Sequence, residues 1–133
     1  MARGVRAPLA TAAVVGAALA VLALRDPHVA GSYGECPLVA FTGLWCPLCG
    51  GLRATWDLLH GDVAGAWSMN VVVTVALPVL VVAWGWWLAV RVRARTLPAW
   101  VRSPRLPVVA LGLLVVFGVL RNLPALAPVL APH

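Results

Sequence analysis

The chain has 133 residues, 62% of them hydrophobic and only 11% charged, with a formal net charge of +6. Soluble domains run at about 45–50% apolar and about 25% charged residues, so this chain has too little polar surface to cover a globule and reads as one all-α integral membrane domain. No soluble basic patch interleaved with aromatics is present, which excludes a nucleic-acid binder and leaves anionic lipid headgroups as the counter-charge for its ten arginines.

A hydrocarbon core of about 30 Å needs about 20 apolar residues in a helix, and three segments approach that. The first, Ala7–Leu24, has Thr11 as its single polar side chain and ends at Arg25-Asp26-Pro27. Gly16 and Ala20 on it form a small-xxx-small pair suited to close packing. The second, Ala66–Val90, contains Asn70, Thr74 and Pro78; the proline removes one backbone hydrogen bond and should kink it. The third, Leu106–Leu120, is short and reaches Leu123 only by including Arg121 and Asn122. Beyond it Pro124, Pro128 and Pro132 should break any helix.

Charge orients these spans. Arg91, Arg93, Arg95, Arg102 and Arg105 fill the link 91–105, which carries no acid. The loop 25–65 holds Arg25 and Arg53 but all four acids, Asp26, Glu35, Asp57 and Asp62. The positive-inside rule therefore places the arginine link and the N-terminus (with Arg3 and Arg6) in the cytoplasm, and the loop 25–65 and the tail 124–133 outside. Trp67 and Trp87, about 30 Å apart along one continuous helix, would mark opposite interfaces. Ala18-Leu19-Ala20 also resembles a signal-peptide cleavage site, but the apolar run continues to Leu24 without a polar cleavage region. Either way the loop is extracytoplasmic, in a multi-pass membrane protein.

Most of the reactive side chains fall in Cys46–Asp62. Pro47 suits the first residue of a helix, which makes Cys46 its N-cap and carries a short helix to about His60. Leu52, Trp56 and Leu59 share one face of it, and Arg53, Asp57 and His60 the next, so the helix should lie along the membrane surface with Trp56 down. Arg53 and Asp57 are spaced as an i, i+4 ion pair. Gly61 fits a C-cap and Asp62 the N-cap of the second span. Asn70 must find partners inside the membrane, with inter-helix bonding as its expected role. Arg121 and Asn122 can snorkel to headgroups or reach the acidic loop. His28 and His133 show no partner pattern and read as solvated.

Cys36-Pro37, Thr42-Gly43, Cys46-Pro47-Leu48-Cys49-Gly50, Arg53-Ala54, His60-Gly61-Asp62 and Asn70 together resemble the bacterial membrane-protein family called domain of unknown function 2752. That family's pattern runs C-P, T-G, C-P-x-C-G-x-x-R-A, L-x-x-G-D and N-P; the likeness spans about residues 26 to 80. Arg121-Asn122-Leu123-Pro124 is similar to actinobacterial members. Val71 departs from the pattern, standing where the family commonly has the proline that would enforce a bend. The resemblance implies a small multi-span membrane protein and no activity.

Three chemistries fit the cysteines. In the first, an oxidising compartment ties Cys36, Cys46 and Cys49 by one disulfide of unassigned pairing, and the protein is a non-catalytic scaffold or accessory subunit acting with a membrane-protein partner or as a homo-oligomer. In the second, Cys36, Cys46, Cys49 and His60 form a Cys3His site, with zinc ahead of copper, which accounts for the odd cysteine. In the third, Cys46 at a helix N-terminus acts with Cys49 as a thiol–disulfide pair. No Walker loop, zinc-protease helix or haem attachment motif appears, so the reading leans away from an enzyme, with Cys46 and Cys49 as the redox candidates if it is one.

Overall fold

The computed structural model describes residues 2–34 and 36–132, so the expectations for Glu35 and His133 fall outside the described residues, as do the side chains of Arg3 and Arg102. Among the described residues the chain is all-helical. It runs α1 (Ala2–Leu24), α2 (Pro37–Thr42), α3 (Gly51–Leu59), α4 (Val63–Met69), α5 (Val71–Val92), a 3-10 turn at Ala99–Arg102, α6 (Arg105–Leu120) and α7 (Ala127–Leu130). Two stretches, Val5–Leu24 and Val71–Val92, are long and apolar enough to cross a membrane, and α6 is a shorter apolar helix.

The apolar helices leave most of their side chains uncovered, as a lipid-facing surface would require: Val14, Val82, Val108 and Leu113 are among the most exposed. The first and fifth helices meet, and the Trp84 indole donates to the Pro8 carbonyl at 3.0 Å. Pro8 is fully buried there. The small-residue contact expected at Gly16 is not formed, because nothing lies within 4 Å of a Cβ built at that position. The polar bond between Trp84 and Pro8 holds this pair instead.

The second span does not begin at Ala66 as one helix. Its first turns form α4, which ends at Asn70 with φ −161° and ψ 101°, and α5 starts immediately after. Asn70 is extended without help from a following proline, because its side chain accepts from the Val73 amide and so caps α5. Asp62 does cap a helix, accepting from the Gly65 amide, but that helix is α4. The break also removes the single-helix ruler between Trp67 and Trp87. Pro78 lies inside α5.

The core is small: Ala54 on α3 packs with Ala66 and Met69 on α4, flanked by Leu58 and Val73. Helix α3 buries Ala54 and Asp57, while Leu52 and Leu59 stay exposed. The tail is not helix-free either, since α7 forms with Pro128 in its first turn, where a missing N–H has no partner to lose.

Candidate metal centre

The Cys46–Gly50 stretch is a turn that precedes α3 rather than its first helical turn. Cys49 donates to the Cys46 carbonyl at 3.0 Å and Gly51 to the Leu48 carbonyl at 2.8 Å. Gly50 is the N-cap of α3 at φ +78°, so Cys46 is not a helix cap. A side chain at Gly50 would be excluded twice over: the left-handed backbone disfavours it, and a Cβ would sit 2.5 Å from the Met69 carbonyl oxygen. The Cys-Pro signal that was assigned to Cys46 operates at Cys36, which is the N-cap of α2 with Pro37 at N1.

Two distant segments, at Asn70 and at Arg121-Asn122, hold the turn and the residue before it. Asn70 Nδ2 donates to Pro47 O and Cys49 O, both at 3.0 Å. Arg121 Nη1 donates to Cys46 O at 2.8 Å and to Cys49 O at 3.2 Å. Asn122 brackets the preceding residue, accepting from the Trp45 amide and donating to the Trp45 carbonyl, each at 2.8 Å. At the same end of α6, Gly118 lets Pro47 approach: a Cβ there would lie 3.2 Å from the proline ring. Arg121 and Asn122 thus reach the loop through its backbone and, among the described residues, not through its acids.

This clamp brings Cys36, Cys46 and Cys49 together, with all three sulfurs within 4.8 Å of one another. The Cys46 and Cys49 sulfurs are 2.9 Å apart, and the Cys46 amide points at the Cys49 sulfur at 3.3 Å. All three are free thiols. Their acidities are pulled apart. The Val39 amide, then the Cys49 thiol, draw Cys36 down to about 7, whereas burial and the neighbouring Cys46 and Cys36 thiols push Cys49 up to about 12.

Arg121 is completely buried beside this cluster, its guanidinium carbon 5.1 Å from the centroid of the Phe117 ring. Its Nε and Nη2 have no hydrogen-bond partner among the described residues. A buried cation needs an anion, and the ionisable groups that act on this one are Cys49 and Cys46. A sulfur cluster carrying negative charge supplies what the guanidinium lacks.

The other sequence candidates lie elsewhere. His60 does not join the cysteines: its Nδ1 is 2.8 Å from the Trp56 carbonyl and its ring stacks on Trp56 at 3.9 Å. Arg53 does not pair with Asp57; its Nε donates to Pro27 O at 3.3 Å. Asp57 is buried and faces His28 Nε2 at 3.4 Å, while His28 Nδ1 lies 3.0 Å from Asp26. His28 is therefore engaged rather than solvated, and burial raises the Asp57 carboxyl against the pull of His28.

No curated protein and no solved structure matches the chain. The stretch that holds the three cysteines and Asn70 is similar to a known family, while Arg121 and Asn122 lie beyond the match: residues 36–84 match the family described as "Protein of unknown function (DUF2752)".

Proposed function

We propose that this is a small multi-pass membrane protein whose Cys36, Cys46 and Cys49 bind one soft divalent metal ion, zinc first. The observation that carries the reading is the convergence of three unbonded sulfurs within 4.8 Å. Thiolates around zinc bond at about 2.3 Å and so sit roughly 3.8 Å apart, a spacing these three sulfurs reach with a small opening of the Cys46–Cys49 contact. The buried charge of Arg121 offsets the net negative charge that three thiolates leave around a divalent ion. His60 has no part in the site.

The test is a joint count of metal and thiols on protein purified anaerobically in detergent, without reductant or chelator. Near one equivalent of zinc, released on acidification as the thiolates take up protons, is the expected result. Cys36→Ser should abolish it, and His60→Ala should leave the stoichiometry unchanged. A second reading is favoured by the 2.9 Å contact between Cys46 and Cys49, which places that pair nearest to closing a disulfide and leaves Cys36 as the free thiol. It predicts one free thiol and no metal, in a scaffold or a thiol–disulfide protein.

The membrane part of the proposal has α1, α4 with α5, and α6 as three spans, the arginine link 91–105 and the N-terminus cytoplasmic, and the cysteine loop outside a bacterial plasma membrane. Exposed Leu52 and Leu59 on α3 are free to meet the lipid interface. Reporter fusions after Gly34 and after Ala99 should report opposite sides. Lipid is the first partner, with a membrane-protein partner or a second copy alongside.

A further inference from the structure

The three sulfurs are not enclosed symmetrically. Arg121 and Asn70 hold the turn by its carbonyls, and neither lines the cavity of about 630 Å³ onto which Cys36, Cys46 and Cys49 all open. That volume falls in the range of small-molecule sites, about 300–1,000 Å³. Among the described residues the sulfur cluster contains no fourth donor of the kind a closed structural zinc site has.

The rest of the lining defines the chemistry of a guest. Tyr33, Trp45 and Leu52 provide apolar surface, and Arg53 provides a cation. Arg53 Nε is engaged with the Pro27 carbonyl, whereas its two terminal nitrogens have no hydrogen-bond partner among the described residues. Charge arithmetic agrees. A divalent ion with three thiolates carries −1, which Arg121 brings to zero; a further anionic ligand returns the centre to −1, and Arg53 on the cavity wall is the cation left to offset it.

We infer that the metal centre is open on its cavity side and takes a small exogenous thiolate as its fourth ligand. The inference rests on the metal reading above. In the binding step the guest thiol releases its proton to solvent, its sulfur bonds the metal, and the water in that position leaves; no electrons are transferred. A soft ion already held by three thiolates favours a fourth soft donor over oxygen ligands.

The experiment uses the full chain in detergent, loaded with cobalt(II) in place of zinc and kept reduced with a phosphine rather than a thiol. Mercaptoacetate is titrated while the sulfur-to-cobalt charge-transfer band is followed. The expected result is a saturable rise of about a third, one thiolate added to three, with cobalt still protein-bound after gel filtration. Arg53→Met should weaken mercaptoacetate about tenfold while changing imidazole, a neutral ligand, much less. Cobalt bound but a spectrum unmoved by mercaptoacetate overturns the open position and leaves the metal reading standing. So does cobalt carried away with the thiol. Equal weakening of both ligands by Arg53→Met overturns the anionic assignment. Failure to bind cobalt at all overturns the metal reading and this inference with it.

Discussion

Arg121 and Cys46 are 75 residues apart in sequence and 2.8 Å apart in space, guanidinium to carbonyl oxygen. The contact serves two purposes, because the same side chain that tethers the turn also brings a buried positive charge to the sulfurs. The two can be separated. In Arg121→Met, Cys46 O keeps the Cys49 amide and Cys49 O keeps Asn70, so the turn retains a bond at each carbonyl. Replacing a buried charge by an apolar side chain of similar volume is often neutral for stability. The expected outcome is a thermal midpoint close to the wild type, with zinc affinity reduced about tenfold or more, on the order of 1.4 kcal/mol. Competition with a chromophoric chelator measures it; unchanged affinity would remove Arg121 from the electrostatics of the site.

Asn70 should be less replaceable. It caps α5 through Oδ1 and clamps two carbonyls of the turn through Nδ2, and it is 1% exposed. Asn70→Ala loses one cap and two hydrogen bonds, about 2–4 kcal/mol together. Asn70→Asp keeps the cap acceptor but turns an oxygen on Pro47 O and Cys49 O, so it should destabilise at least as much. Thermal unfolding in detergent is the measurement, and an aspartate variant as stable as wild type would show that the clamp contributes little.

Much of this was legible in the chain. Asn70 had to find partners because an amide inside an apolar helix must, and the composition announced the long apolar helices. The partners themselves were not legible. Arg121 and Asn122 read as residues that snorkel to headgroups or reach the acidic loop, because nothing local distinguishes an arginine that reaches lipid from one that turns inward onto a carbonyl 75 residues away. The Cys-Pro rule was correct in kind and misplaced, since Pro37 opens a helix and Pro47 a turn. The left-handed Gly50 made that difference, and the double glycine at 50 and 51 was its only local signal. His60 offered the fourth ligand of a Cys3His set by residue type, yet aromatic stacking on Trp56 claims its ring.

The thiols should react in order. In metal-free, reduced protein near neutral pH, Cys36, drawn down to about 7 and partly exposed, should be alkylated first, and Cys49, pushed up to about 12 and buried, last. The thiolate is the reactive form, so the gap should narrow as pH rises toward Cys49. Timed iodoacetamide labelling with peptide mass spectrometry reads the order. Bound zinc should protect all three.

Asp57 carries a pH dependence of its own. Burial raises its carboxyl above the unfolded value of 3.8, while His28 facing it, with Asp26 and Asp62 beyond, modulates the shift. A raised acid contributes stability that is complete below the unfolded value and is lost as pH rises through the folded one. In a His28→Gln background, where the imidazole no longer opposes burial, stability should therefore fall as pH rises above the unfolded value of 3.8, and Asp57→Asn should flatten that slope. Unfolding midpoints across this range decide it; a slope unaffected by Asp57→Asn would exclude Asp57 as its source.

The clamp between the turn and the far end of α6 also imposes an order in time. A ribosome adding about 5–20 residues per second finishes Arg121 roughly 4 to 15 s after Cys46. For that interval the three cysteines exist in a nascent chain whose pinning arginine has not been made. The sulfur centre thus waits on the end of α6, and any ion or oxidant that meets the thiols earlier meets them before Arg121 can hold the turn.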